Sequence, residues 1–174
     1  MTRSRGGARA LALLASFVLL AGGRGLAQSP SCVPPPAGMV AWWPGDGSAS
    51  DIAGSNGGSV VGGVTYAAGR VGQACRLDGA TGYVQVPDSA SLRVTGQITI
   101  DAWIYPAATG GRVVDKITAG GADGYLLDTY GGVVRLIVDS HGLSGTTAIP
   151  TGTWSHVAGV YDGTQMRVYL NGTL

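Results

Sequence analysis

The sequence predicts an all-β protein, a sandwich or jelly roll of two antiparallel sheets, on three observations. Glycine is very frequent, at 31 of 174 residues, and it lies between short apolar segments without a triplet period. The chain has no glutamate and a single lysine, Lys116, while valine, threonine and tyrosine abound, so it is poor in helix formers and suited to strands and turns. In "QITIDAWIYP", finally, Ile98, Ile100, Ala102 and Ile104 alternate with Thr99, Asp101, Trp103 and Tyr105, the period of a half-buried strand. No internal repeat of 20–50 residues is visible, which disfavours a propeller or solenoid.

The elements follow in order. Arg3, Arg5 and Arg9 precede an apolar run from Ala10 to Leu20 and then small residues, the order of a secretory signal peptide and too short to span a bilayer. Gly25-Leu26-Ala27 is a peptidase site, so residues 1–27 are expected to be removed and the protein to be secreted, with no membrane attachment afterwards. Four of the eleven basic residues leave with that segment and none of the ten acids, so the rest of the chain is weakly acidic. Its scattered arginines form no basic stripe, which excludes nucleic acid as an expected partner.

Residues 28–38 are a proline-rich lead-in, and "MVAWW" reads as a first strand ended by Pro44-Gly45. A Gly, Ser and Asp loop follows, "PGDGSASDIAGSNGG", then "SVVGGVTYA" as a broken strand or hairpin. "QACRLDG" and "GYVQVPD" are strands around a glycine-bearing turn. After "QITIDAWIYP" come "RVVDKI", "GYLLDTY" and "VVRLIVDS", with Gly131-Gly132 between the last two, while "SHGLSG" reads as a loop. "WSHVAGVY" and "QMRVYLNG" flank Asp162-Gly163-Thr164, a strong hairpin signal.

Taken in order, "GMVAWWPGDGSASDIAGSNGGSVVGG", "GRVGQACRLDGATGYVQVPDSASL", "ITIDAWIYP" and "WSHVAGVYDGTQMRVYLNG" resemble the laminin-G-like family of concanavalin A-like jelly-roll domains. The resemblance runs from about Met39 to Leu174, giving one domain over residues 39–174. It implies a β-sandwich module, usually non-catalytic, that binds carbohydrate or an extracellular protein ligand. Cys75 stands where the family usually carries a large apolar residue, and "DGATGY" lacks aspartates that many relatives place there. The family's closing acidic strand, related to "IDEVRIY", is not present, so the resemblance implies further strands, and further domains, beyond Leu174.

Candidate chemistry is sparse. His156 shares an alternating strand face with Trp154, Ala158 and Val160, and no nucleophile elbow or cysteine signature accompanies it, so it reads as scaffold. Glycoside hydrolysis, the enzymatic alternative on this fold, needs two carboxyls about the scissile bond, whereas this chain has only dispersed aspartates. No catalytic residue is expected; an inert structural spacer is the other alternative.

Asp46, Asp51 and Asn56 lie in one glycine-rich loop whose oxygens suit calcium, and several domains of this fold bind a structural calcium; the competing reading makes them turn formers. Trp42, Trp43, Trp103, Tyr105, Tyr125 and Tyr130 include candidates for a sugar-stacking platform, most of the others belonging to the core. Asn171-Gly172-Thr173 fits a glycosylation sequon but reads more simply as a turn. Cys32 and Cys75, the only cysteines, are expected to pair in an exported protein, the alternative being a buried free Cys75.

Overall fold

The computed structural model describes residues 35–94, 96–118 and 123–174. The signal segment, most of the lead-in and Cys32 lie outside them. Eleven strands run in order: β1 (Ser59–Val61), β2 (Val64–Ala68), β3 (Gln73–Leu77), β4 (Tyr83–Gln85), β5 (Ile98–Ile104), β6 (Arg112–Lys116), β7 (Tyr125–Asp128), β8 (Val133–Val138), β9 (His141–Ala148), β10 (Ser155–Tyr161) and β11 (Met166–Leu170). Short 3-10 turns at Ala90–Leu92 and Tyr130–Gly132 are the only helical elements among the described residues. No described helix is long and apolar enough to cross a membrane.

Two sheets face each other. One has the order β6-β7-β8-β9 and the other β11-β10-β5, with all pairs antiparallel. Tyr125 and Leu127 of β7 and Val134, Leu136 and Val138 of β8 meet Val157 of β10 and Val168 of β11 in the core. Ile98, Ile100, Ala102 and Ile104 of β5 pack against that cluster, so the period-two reading assigned the buried face of this strand correctly. At Gly159 the facing sheet leaves no room for a side chain, since a Cβ would lie 2.8 Å from a Leu136 methyl and 3.2 Å from one of Leu127. Burial of Leu127, Leu136 and Val157 side chains contributes about 2 kcal/mol each.

Two expectations need correction and one open alternative is resolved, in favour of a broken strand at Gly62-Gly63. "MVAWW" is not a strand: Trp42 N donates to the Asp51 carboxylate and Trp42 O accepts from Ile52 N, so its backbone groups are tied to the following loop. "SVVGGVTYA" is two strands but no hairpin, because β1 pairs with β4 and β2 with β3, Gly62-Gly63 turning the chain from one ribbon to the other. "SHGLSG" belongs to β9, an edge strand with mostly exposed residues. Its backbone pairing with β8 makes it a strand, while a register shift between Val133 and Arg135 and the absence of apolar alternation hid it.

Candidate ligand-binding cleft

Alternation along β5 turns Asp101 and Trp103 away from the core, and register places them beside β10: Trp103 opposite His156 and Asp101 opposite Ala158. Tyr105 follows at the end of β5. Trp103 and Tyr105 are 49% and 54% exposed, large rings left open to solvent. The loop before β10 brings Trp154 edge-on to Tyr105, with ring centroids 5.6 Å apart. That loop is anchored where Gly152 N donates to Pro106 O at 2.9 Å.

His156 sits beneath Trp103, their rings tilted at 59° with centroids 5.3 Å apart, and its Nε2 lies 3.3 Å from Asp101 Oδ2. Its backbone N–H donates to Asn171 Oδ1 while Asn171 N donates back to His156 O, so the left-handed Asn171 closes the turn after β11 against β10. His156 and Asn171 thereby brace the end of β10 against the turn after β11.

The last wall comes from far along the chain. The hairpin between β2 and β3 turns through Gly69-Arg70-Val71-Gly72 and carries the Arg70 guanidinium over Trp103, 5.2 Å from the ring centroid. Arg70, Trp103, Tyr105, Thr153, Trp154 and Asn171 line an open cleft of about 440 Å³. A larger groove, about 510 Å³, runs between β9 and β11, lined by Leu143, Met166, Val168 and Leu174 among others. It holds no aromatic ring. Ring faces with uncommitted polar groups beside them make the smaller cleft the better candidate for a specific ligand.

The loop candidates fall elsewhere. Asp51 Oδ1 accepts from the backbone N–H groups of Trp42, Ala53 and Gly54 at 2.9 to 3.0 Å, and Oδ2 accepts from Asn56 N at 2.9 Å. Partial burial pushes its carboxyl upward, but these four donors outweigh it and hold the pKa at about 2. Asn56, 4% exposed, accepts at Oδ1 from Ser89 and Ser91 hydroxyls and donates from Nδ2 to Val40 O, while its own carbonyl takes the Trp43 indole N–H.

Asp46 joins a different partner: its Oδ1 accepts from Gln73 N at 3.0 Å, at the foot of the hairpin that carries Arg70. Gly72, at a φ of +57°, lies so close that a Cβ would stand 3.1 Å from that oxygen. A calcium ion needs six to eight oxygens turned toward one point. Here Asp51 faces four N–H groups, whose positive ends would repel a cation, and Asp46 serves another strand. The three residues fit turn formation and do not fit calcium. No cluster of three His, Cys, Asp or Glu side chains of metal-binding geometry occurs among the described residues.

Of the six aromatic candidates the structure brings two, Trp103 and Tyr105, to the cleft. Tyr125 is core, its hydroxyl donating to Leu92 O at 3.0 Å. Tyr130 is exposed under the Arg135 guanidinium, and Trp42 lies in the Asp51 loop region. Sequence reasoning placed Trp154 on the sheet face with His156 but not on the platform, and it missed Arg70. A cation between two glycines in a tight hairpin was the one available signal, and nothing in the sequence linked that hairpin to β5. Cys75, on β3, is half-buried, has no disulfide partner among the described residues, and its thiol pKa is pushed up by that burial; its expected partner Cys32 lies outside the described residues.

A two-layer antiparallel sandwich is the architecture of a concanavalin A-like domain. The family model for the concanavalin A-like lectin/glucanases superfamily matches residues 78–174, more than half of the chain, and the chain belongs to that superfamily. Among solved structures it is similar to domain 4 of AbnA, a GH43 extracellular arabinanase from Geobacillus stearothermophilus, solved in complex with arabinotriose. The identity is 23% and the TM-score 0.51, over 72% of this chain and 67% of that one, a likeness of fold. No curated protein matches the chain.

Proposed function

We propose that the protein is a secreted, non-catalytic module that binds carbohydrate through the cleft of Trp103, Tyr105 and Trp154. The observation that carries this reading is the convergence of three aromatic rings, two of them about half exposed, at one open cleft on a rigid sheet end. Aromatic faces take the C–H surface of a pyranose or furanose ring, and neighbouring polar groups take its hydroxyls. The arabinotriose held by the similar arabinanase domain supports a sugar ligand in kind.

The hydrolase alternative finds little support. Asp101 stands with His156 and not with a second carboxylate, and the other aspartates, Asp139 apart, are engaged with arginines, Lys116, hydroxyls or backbone N–H groups. A glycan array followed by calorimetry tests the proposal. Trp103→Ala is expected to weaken binding of any captured glycan by about 2 kcal/mol, as for a central aromatic anchor, while the fold stays intact because the ring is half exposed. Unchanged affinity in Trp103→Ala would remove the cleft from consideration.

Export through residues 1–27, a Cys32–Cys75 bridge and neighbouring domains belong to the same proposal, and a protein ligand in place of a glycan is its alternative. Intact mass of exported protein tests the first, and thiol titration without reductant the second. Calcium stands apart as a proposal that the loop geometry does not favour, and excess chelator tests it through the melting temperature.

A further inference from the structure

We infer that the cleft selects acidic sugars, with Arg70 taking the carboxylate of a uronic acid whose ring lies against Trp103; this rests on the carbohydrate reading above. The charge inventory points there. All ten aspartates of the chain lie in the described residues. Five of the seven described cations are paired with them: Arg93 and Lys116 with Asp88, Arg112 with Asp115, Arg135 with Asp128 and Arg167 with Asp162. Only Arg70 and Arg76 have no such partner among the described residues, and of these Arg70 alone lines the aromatic cleft.

Its geometry suits the task. A planar fork of N–H donors matches a carboxylate bidentately, and the Arg70 guanidinium over the Trp103 ring can offer one. Arg70 donates to no acceptor among the described residues, and Trp103 keeps about half its surface open despite the cation above it. The turn that carries Arg70 is held by its backbone: Gly69 N donates to Gly72 O, and Asp46 accepts from Gln73 N at the start of the return strand. The titratable and charged groups beside Trp103 are Arg70, Asp101 and His156. Asp101 precedes Trp103 by one pleat on β5, on the side away from Tyr105 in sequence, and is not among the residues that line the cleft.

The test compares three probes by calorimetry at low salt: a galacturonate trimer, the same trimer with its carboxyls reduced to alcohols, and a sulfated galactan oligomer. The expected result is galacturonate bound at least tenfold more tightly than its reduced counterpart, a preference that collapses in Arg70→Gln and is partly retained in Arg70→Lys. Equal affinity for the first two probes, or a preference unchanged in Arg70→Gln, would overturn the acidic assignment while leaving carbohydrate binding in place. Sulfated oligomer bound as tightly as galacturonate would also overturn it, in favour of a site for anions without regard to carboxylate shape. If no probe binds and Trp103→Ala changes nothing on a glycan array, the carbohydrate reading itself fails, and this inference with it.

Discussion

The Asp51 loop and the aromatic cleft are both rich in groups that could hold a ligand, and they differ in what the fold has already done with those groups. In the loop, each oxygen of Asp51 faces backbone donors and both ends of the Asn56 amide are bonded. In the cleft, two rings are open and the Arg70 fork has no acceptor among the described residues. A residue type alone therefore says little about binding. What matters is whether its capacity remains available after folding, since a bonded buried group stabilises the chain and an unbonded exposed one can serve a partner.

The sharpest way to break this comparison is at Asp51. Removing its carboxylate in Asp51→Ala leaves four backbone N–H groups without their acceptor, and the expected cost is about 2 kcal/mol, tempered by solvent access to the loop. Urea unfolding measures it, and a loss below about 0.5 kcal/mol would mean the loop is not the clasp it looks. Asp51→Asn should be milder, because one oxygen remains for three of the donors.

The same site predicts an acid signature. A carboxyl held at about 2 in the folded chain, against roughly 3.9 unfolded, contributes stability that is complete above pH 4 and is lost as pH falls from 4 through 2. Asp78 and Asp162, held low mainly by backbone N–H donors, and Asp88, held at about 2 by Arg93 and Lys116, contribute to the wild-type slope in the same sense. The difference between wild type and Asp51→Asn isolates the loop, and that difference should shrink on going from pH 5 to pH 2.

Asp46 links the two regions and carries the next effect. Its bond to Gln73 N is single and exposed, so Asp46→Ala is expected to cost only about 1 kcal/mol in stability. It should nevertheless reduce the acidic preference of the cleft, because the hairpin bearing Arg70 loses its brace. Stability down with the acid-to-neutral ratio unchanged would show that the hairpin positions Arg70 without help.

How much of this was legible in the sequence follows from range. The β5 face was readable because alternation is a local signal, and the β10–β11 hairpin because Asp162-Gly163 fixes its turn over adjacent residues. β9 was not, since its pairing and not its side chains makes it a strand. Trp103 and Tyr105 could be proposed as open rings from the pleat alone. Arg70 could not, because the β2–β3 ribbon pairs only with itself and its placement over β5 is a tertiary fact with no periodic trace. The Asp51 loop was ambiguous in the sequence for a different reason: the residues that make good turns are also those that ligate calcium, and hydrogen-bond partners are needed to tell them apart.

Ser155 sharpens the comparison from the other side and carries the smallest effect. It starts β10 one residue before His156, but alternation turns it inward opposite Ile104, where it is fully buried and its hydroxyl has no hydrogen-bond partner among the described residues. Here is an uncommitted polar group that no ligand can reach, so it should act as a stability cost and not as a site. Ser155→Ala removes the orphaned hydroxyl while giving up little volume. The expected change is neutral to stabilising, by up to about 1 kcal/mol, with cleft affinity unaltered because Trp154 and His156 keep their places. Urea unfolding and glycan titration of the same variant check both halves. A clear destabilisation would mean that the hydroxyl has a partner, a buried water being the simplest, and that the neighbourhood of Trp154 is wetter beneath the sheet than its apolar lining implies.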